Sequence, residues 1–455
     1  MTRRVLIANR GEIAGRVLKT CRELGVEGYL AVSTADLESS PAKDAERAIC
    51  IGPPRSADSY LRREAIVATA LATKCDSVHP GYGFLAEDAE FATMCRDAGL
   101  RFIGPSPHML RLFGDKVAAR EAAHRAGVPL IPGSSPVVDA AAGIVEAQRI
   151  GYPAMLKAAM GGGGKGMRIV EDDRELAEVF PLAYAEAESA FGDGRLYLER
   201  WVRGARHVEV QVAGCAAGDV IHLGDRDCSV QRRQQKLIEE APAPRIPESV
   251  QQGMRQAALD LCAHVGYDSI GTVEFLFDPE ASVFYFLEVN ARIQVEHGVT
   301  EMITGTDIVG IQMHAASHGE LPLQQRDVAF NGAALECRIN AEAPERGFAP
   351  SPGRIKEWDI PMDPGVRLDT HCFPGYLVPP YYDSLLGKLI VHDADRPTAV
   401  AHMSAVLSKT NITGIDTNVA LAQWIVERPE FRDMKVSTRW LDSHLHSGAW
   451  IKGSD

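Results

Sequence analysis

Glu288, Asn290 and Arg292 recur at every second position of the segment FYFLEVNARIQVEHGVTE, residues 284–301. Strand side chains alternate faces, so the three share one face behind the apolar Phe284 and Phe286. Strands disfavour Glu and Asn, which makes so polar a face unusual. The preceding GTVEFLF, residues 271–277, reads as the other arm of an antiparallel hairpin, and with a turn near Glu280 and Ala281 the expected partner of Glu274 is Glu288. Facing carboxylates with Cβ atoms about 5 Å apart repel. A divalent cation relieves that repulsion. Two carboxylates and the Asn290 amide oxygen are hard ligands, suited to Mg²⁺ or Mn²⁺ carrying nucleotide phosphates. The competing reading is an ordinary solvated strand face.

Phosphates also need cations and free backbone amides. Residues 225–244, DRDCSVQRRQQKLIEEAPAP, gather Arg226, Arg232, Arg233 and Lys236 in a short polar segment. Lys157 lies in a strand, residues 153–159, and Met160 then leads into Gly161, Gly162, Gly163, Gly164, Lys165 and Gly166. That run lacks the GxxxxGK[ST] spacing of a P-loop, but its backbone is free to lay N–H groups on phosphates. A strand resumes at residues 167–170, so the whole reads as a hairpin lid, or else as a passive flexible loop. Lys116 opens a helix from which it can reach a phosphate, although an isolated Lys there is usually just solvated.

Further polar residues stand on strands. LYLERWV, residues 196–202, offers an exposed backbone amide and carbonyl to an adenine edge. In residues 206–212, Val208, Val210 and Val212 face one way and His207, Glu209 and Gln211 the other, as any half-buried strand would. Residues 333–340 put Leu335, Cys337 and Ile339 on one face and Glu336, Arg338 and Asn340 on the other. Arg338 there either aims at a ligand or pairs with a carboxylate.

These strands need a frame. Short apolar runs at residues 5–9, 29–33, 49–51, 77–78 and 102–103 alternate with helical stretches, the mark of a parallel sheet with helices on both faces. Asn9-Arg10-Gly11-Glu12 is not a dinucleotide fingerprint. HPGYGF, residues 79–84, is a rigid loop at a strand end, where open α/β sheets bind ligands, or a plain structural turn. Glycines and prolines mark a domain boundary near residues 114–133, a helix covers residues 248–265, and residues 397–441 are mainly helical.

A chain of 455 residues is long enough for two or three domains. Its net charge of -13 argues against nucleic acid or an anionic membrane as partner. No apolar run approaches the roughly 20 residues of a membrane helix, and the first residues do not read as a signal peptide. The 9 cysteines are scattered without a CxxC pair, as reduced thiols would be, which points to the cytoplasm.

Taken in order, IANRGEIA, HPGYGFL, FIGPS, the GDK ending at Lys116, GGGGKGM, RHVEVQV, RDCSVQRR, EEAPAP, EVNARIQVEH, ECRINAE, PSPG and PPYYDS resemble the biotin carboxylases. These are ATP-grasp enzymes that carboxylate the biotin of a carrier protein. The resemblance covers nearly the whole chain. It implies an α/β and α+β protein with a Rossmann-like, doubly wound parallel-sheet domain at residues 1–113. An ATP-grasp domain at 114–330 would follow, with a mobile lid at about 131–202, then a mixed α/β domain at 331–446.

The resemblance also implies roles. Lys116, Lys157, His207, Gln231, Gln234 and the Gly161–Gly166 loop with Lys165 would hold ATP. Glu199, Arg200, Trp201, Val202 and Leu276 would surround adenine and ribose. Glu274, Glu288 and Asn290 match ligands of two Mg²⁺ or Mn²⁺ ions, in agreement with the charge argument. Lys236, Arg292, Gln294 and the Val295 backbone match a bicarbonate site; Glu296 matches a general base, Arg338 the group on the biotin ureido oxygen, and Tyr82 a substrate contact. The implied reaction phosphorylates bicarbonate to carboxyphosphate and ends in carboxybiotin, ADP and phosphate.

No biotinylation sequence occurs, so a separate biotin carboxyl carrier protein and a carboxyltransferase are the expected partners, as in acetyl-CoA carboxylase and fatty acid biosynthesis or a related system. A homodimer is expected through the first helix near Arg16, Lys19 and Glu23. Three positions depart from the family pattern. Gln234 stands where a ring-bearing residue is common, which would weaken a nucleotide contact. Met160 replaces a further Gly, stiffening the lid, and Gly298 replaces a Pro, loosening the turn behind the base. The rival functions are another ATP-grasp carboxylate ligase and a catalytically silent regulatory paralogue.

Overall fold

The computed structural model describes residues 2–158, 168–191 and 193–447. Strands β1 (Arg4–Ile7), β2 (Glu27–Ser33), β3 (Arg47–Gly52), β4 (Ser77–His79) and β5 (Arg101–Phe102) form the expected parallel sheet, in the order β3-β2-β1-β4-β5. Helix α1 (Gly11–Glu23) packs Ile13, Ala14, Val17 and Cys21 into its core. Strand order reverses between β1 and β4, where an open sheet leaves a crevice beyond its carboxyl ends. The loops after those strands meet there, with the Tyr82 hydroxyl donating to Glu12.

Helix α2 (Lys116–Arg125) is capped by Asp115, whose carboxylate accepts from the amides of Val117 and Ala118. Strands β6 (Ala154–Ala158), β7 (Arg168–Val170) and β8 (Leu196–Arg200) then make a small antiparallel sheet in the order β7-β6-β8. Met160, Gly161, Gly162, Gly163, Gly164, Lys165 and Gly166 lie outside the described residues.

The centre of the molecule is one eight-stranded sheet. Its strands are β9 (Arg206–Gly214), β10 (Val220–Arg232), β11 (Gln235–Ala241), β12 (Ile270–Asp278), β13 (Val283–Asn290), β14 (Ala333–Asn340), β15 (Val366–Thr370) and β16 (Leu385–Asp393). They lie in the order β13-β12-β9-β10-β11-β14-β16-β15, every neighbouring pair antiparallel. Residues 225–244 are therefore no irregular polar segment but most of a hairpin. It turns at Arg233 and Gln234, both left-handed with φ of 48° and 69°. The basic cluster is thereby divided: Arg226 and Lys236 both reach Glu209, whereas Arg233 is exposed at the turn.

Helix α3 (Glu248–Val265) forms where its spacing predicts and buries Met254, Ala258, Leu261 and Cys262 against Val208, Val210 and Val212. The opposite face of β9 is buried as well, although alternation suggested a wet one: Glu209 and Gln211 are fully covered. Helix α4 (His297–Thr304) accounts for part of this cover, since it packs across β10, β11, β14 and β16. Its N-cap is Glu296, so the helix dipole favours an anion at that position.

Gly298, in the first turn of α4, is not the loosening that its sequence context implied. A Cβ there would overlap Ile390 Cδ1 and lie 3.3 Å from Glu336 Oε2, so the space is already filled. Overpacking of this kind costs about 1–3 kcal/mol, more than the about 1 kcal/mol that Ala gains over Gly in a helix. Gly298→Ala is expected to lower the denaturant midpoint, and Gly298→Ala/Ile390→Val, which removes the obstructing methyl, to recover most of the loss. Additive losses in the double variant would show that the contact with Ile390 is not the cause.

Candidate active site

Glu274 and Glu288 face each other across β12 and β13, as the sequence implies, but for a different reason. Near the turn Phe277 pairs with Phe284 and Phe275 with Phe286, a register that would put Leu287 opposite Glu274. One extra residue is accommodated between Phe286 and Glu288, and this bulge moves the second carboxylate into place. Glu274 is nearly buried and saturated with donors. Its Oε1 accepts from Lys236 Nζ at 3.0 Å, Asn290 Nδ2 at 2.9 Å and Gln294 Nε2 at 3.1 Å, and its Oε2 lies 3.0 Å from His207 Nε2. Burial opposes its charge, yet Lys236 and His207 hold the carboxyl well below the usual range.

Glu288 is the contrast. Burial and the charge on Glu274 push its carboxyl up, with Lys116 and His207 pulling the other way. A carboxylate left with this unrelieved repulsion beside a second carboxylate and an amide is a donor set that fits a hard divalent cation. Asn290 Oδ1, the third candidate oxygen, accepts from Arg292 Nη2 at 3.1 Å.

Lys236, from β11, is the hub. Its ammonium reaches Glu209 Oε2 at 2.6 Å, Glu274 Oε1 at 3.0 Å and Glu296 Oε1 at 2.6 Å, drawing together β9, β12 and the start of α4. The second Glu296 oxygen accepts from Arg338 Nη2 at 2.8 Å, and Arg338 Nε donates to Glu239 Oε1 at 2.6 Å. Glu296 is fully buried, but Lys236, Arg338 and Arg226 hold it well below the ordinary carboxylate range. Arg226 closes the floor, with Nε on Glu209 Oε1 at 2.6 Å and its other nitrogens on Gln211, Thr272 and Thr300.

Arg292 leans on the rim, donating to Gln294 Oε1 at 2.8 Å and lying 3.3 Å from Glu87. His207 Nδ1 lies 3.1 Å from the Gln231 amide nitrogen, which also donates to the Cys228 carbonyl. Leu276, half-buried, pairs in register with His207.

The remaining candidates stand apart from this cluster. Lys157 pairs with Glu199, and Arg120 approaches the same carboxylate at 3.7 Å, tying α2 to the small sheet. Arg200 is exposed, Val202 is buried, and Trp201 lies under the Arg439 guanidinium. The backbone N–H of Trp201 donates to Pro153 O at 2.9 Å and that of Arg200 to Pro132 O at 2.9 Å, so neither is the free amide expected for an adenine edge. Lys116 is exposed at the start of α2, and Gln234 is exposed at the β10–β11 turn. Tyr82 lines a cavity of about 120 Å³ with Asn9, Arg10, Glu12 and Asp383.

Three comparisons bear on this arrangement. Residues 1–110 match the biotin carboxylase N-terminal domain, 115–324 the carbamoyl-phosphate synthase L chain ATP-binding domain, and 336–443 the biotin carboxylase C-terminal domain. A biotin carboxylase of Nostoc sp. is 47% identical over 96% of this chain and 98% of its own length. The chain belongs to the biotin carboxylase family. Among solved structures, the biotin carboxylase domain of a thermophilic 2-oxoglutarate carboxylase bound to bicarbonate superposes with a TM-score of 0.93 at 43% identity, covering 98% of this chain and 99% of that one. The corresponding dimer from Hydrogenobacter thermophilus, with magnesium ADP and bicarbonate, has a TM-score of 0.87 at 44% identity, covering 98% of each chain.

Several buried charges of this biotin carboxylase family member escaped the sequence reading. Arg226 was read only as one member of a basic cluster, and Glu239 lay inside a segment whose net polarity hid its individual face. Lys388 had a usable signal, a single Lys within the apolar run of β16, where an unpaired Lys is almost never buried. Glu336, directly opposite Glu239 in the β11–β14 register, is fully buried with both oxygens unpartnered. Burial, together with Glu239 and Glu296, pushes its carboxyl well above the usual range despite Lys388.

Because the folded state binds that proton more tightly than the unfolded chain, stability is fully present below the unfolded value near about 4.3 and is lost as pH rises toward the folded value. Glu336→Gln keeps the shape of the protonated acid and removes this dependence. Denaturant midpoints are expected to coincide at pH 4 and to lie higher for the variant at pH 8. A variant less stable than the parent at pH 8 would mean that Glu336 is ionised in the fold.

Proposed function

We propose that the protein carboxylates biotin at the expense of ATP and bicarbonate, through carboxyphosphate. The observation that carries this reading is the single buried cluster of Lys236, Glu296 and Arg338 continuous with the facing pair Glu274 and Glu288. It combines an acid, cations for a small anion and a hard-ligand set for a magnesium nucleotide. Glu274, Glu288 and Asn290 would hold the Mg²⁺ ion or ions, which when bound neutralise phosphate charge.

Bicarbonate would enter between Lys236 and Arg292, beside Gln294 and the Val295 backbone. As it draws Lys236 toward itself, the cations that depress the Glu296 carboxyl are shared. Glu296 then becomes a stronger base, placed to take the bicarbonate proton. The bicarbonate oxygen attacks the γ-phosphorus of ATP, giving carboxyphosphate and ADP. Carboxyphosphate breaks down to CO₂ and phosphate, and phosphate takes the N1′ proton of biotin. The ureido nitrogen bonds to CO₂ while Arg338 stabilises charge on the ureido oxygen. Lys116, Lys157, His207 and the glycine loop would cover the nucleotide, keeping water from an intermediate that hydrolyses readily.

Biotin would arrive on a carrier protein, with a carboxyltransferase consuming the product. The Hydrogenobacter thermophilus relative is described as a dimer, which supports a homodimer here. In this chain, however, Arg16 is buried against Glu301 and Asp307, leaving Lys19 and Glu23 as the exposed groups of α1 for such a contact. Among the described residues no helix is long and apolar enough to cross a membrane.

Phosphate release separates the alternatives. The parent is expected to hydrolyse ATP only when bicarbonate is present, faster with free biotin, and Glu296→Ala to lower kcat about 100- to 10,000-fold. Hydrolysis indifferent to bicarbonate would favour another ATP-grasp ligase, and no turnover under any of these conditions a silent paralogue.

A further inference from the structure

The Arg292–Glu296 loop is held by its carbonyls. Ile293 O accepts from Arg292 Nη1 at 3.1 Å, and Gln294 O from the His297 backbone N–H at 3.4 Å, with His297 Nδ1 at 2.7 Å. Val295 O accepts from Lys388 Nζ at 2.8 Å. The first two holds come from the loop and the helix that it enters. The third comes from β16, remote in sequence, and it is ionic.

Lys388 is fully buried, beside Arg338 in the β14–β16 register. Its ammonium lies 3.2 Å from Glu12 Oε2 and 3.7 Å from Asp369 Oδ2. The other Glu12 oxygen accepts from Tyr82. Asp369 is also tied to Arg367, and Arg367 to Glu301 in α4. One ammonium thus joins the first turn of α1, the Tyr82 loop through Glu12, and the C-terminal strands to the peptide unit between Val295 and Glu296. Burying such a group costs several kcal/mol per ion, and an apolar residue of similar volume would serve packing alone. The Lys388 charge is directed at Glu12, Asp369 and the Val295 carbonyl.

We propose that Lys388 is a positioning residue for bicarbonate, fixing the Val295–Glu296 peptide so that the backbone and carboxylate there meet the anion in register. The inference rests on the proposed bicarbonate chemistry. The contacts of Lys388 are Glu12, Asp369 and Val295 O, none of them the facing pair Glu274 and Glu288 or a residue proposed to hold ATP, so its effect is selective. Loss of a hydrogen bond from a charged group makes the loop carbonyl an unpaired acceptor, enough for about a tenfold change in an equilibrium.

The test compares Lys388→Met with Lys388→Met/Glu12→Leu in bicarbonate-dependent ATP hydrolysis and in thermal melting. The single variant strands Glu12, whereas the double removes that uncompensated charge and is expected to recover melting temperature. Both are expected to raise the bicarbonate KM about tenfold while the ATP KM stays within about twofold. A bicarbonate KM unchanged in either folded variant, or restored in the double along with stability, would overturn the inference and leave Lys388 as structural support. If the parent itself shows no dependence on bicarbonate, the functional reading fails instead.

Discussion

The Lys236 ammonium is the interaction on which the centre of this protein depends. Glu209, Glu274 and Glu296 come from three separate segments, and without a cation between them they would repel in a medium where water screens little. Removing one partner from such a group leaves charges buried and uncompensated, which costs far more than a surface pair contributes. The cluster therefore imposes a condition on the fold. Strands β9, β11 and β12 and the head of α4 must close on one point, and β10 must carry Arg226 beneath it.

An antiparallel sheet meets that condition because its side chains alternate. Strand β9 gives one face to the core under α3 and the other to ionisable groups, while β11 and β14 turn Leu237, Ile238, Leu335 and Cys337 into a second, C-terminal core. Helix α4 covers the polar face and brings Glu296 to its own N-terminus. The β11–β14 pairing continues the sheet from the strands bearing Lys236 and Glu239 to those bearing Arg338 and Lys388. Segments more than a hundred residues apart thus form a single ion network.

Much of this was legible in the residues, and the part that was not had physical causes. The parallel N-terminal sheet followed from alternating apolar runs and helical spacing, and Glu274, Glu288 and Arg338 from period-two polarity on strands. The hairpin 225–241 was missed because its polar residues read, in one dimension, as a basic cluster in a short polar segment and hid the strand alternation. The bulge beside Leu287 was invisible for a similar reason: register shifts leave no mark in composition, yet this one decides whether a Leu or a Glu faces Glu274. Burial on both faces of β9 depends on α4, which no local window contains. Lys388 and Glu336 needed the β14–β16 and β11–β14 pairings before either could be seen as buried among charges.

Charge balance gives the arrangement its direction. In the interior, Glu209, Glu239, Glu274 and Glu296 face Lys236, Arg226, Arg338 and His207, whose pKa is raised by Glu274 against burial. These charges are paired across short contacts. Glu288 lies outside the balance, its repulsion from Glu274 unrelieved. A resting protein tolerates this because Glu288 is only half-buried. A structure built for stability alone would have an apolar residue there, and the two carboxylates would not have been brought opposite each other by a bulge. The negative charge of Glu288 sits at a half-buried edge of the network, with the cations Lys236, Arg292 and Arg338 beyond it. That order of charges, acid then base, is the one that the proposed magnesium nucleotide and neighbouring bicarbonate would require.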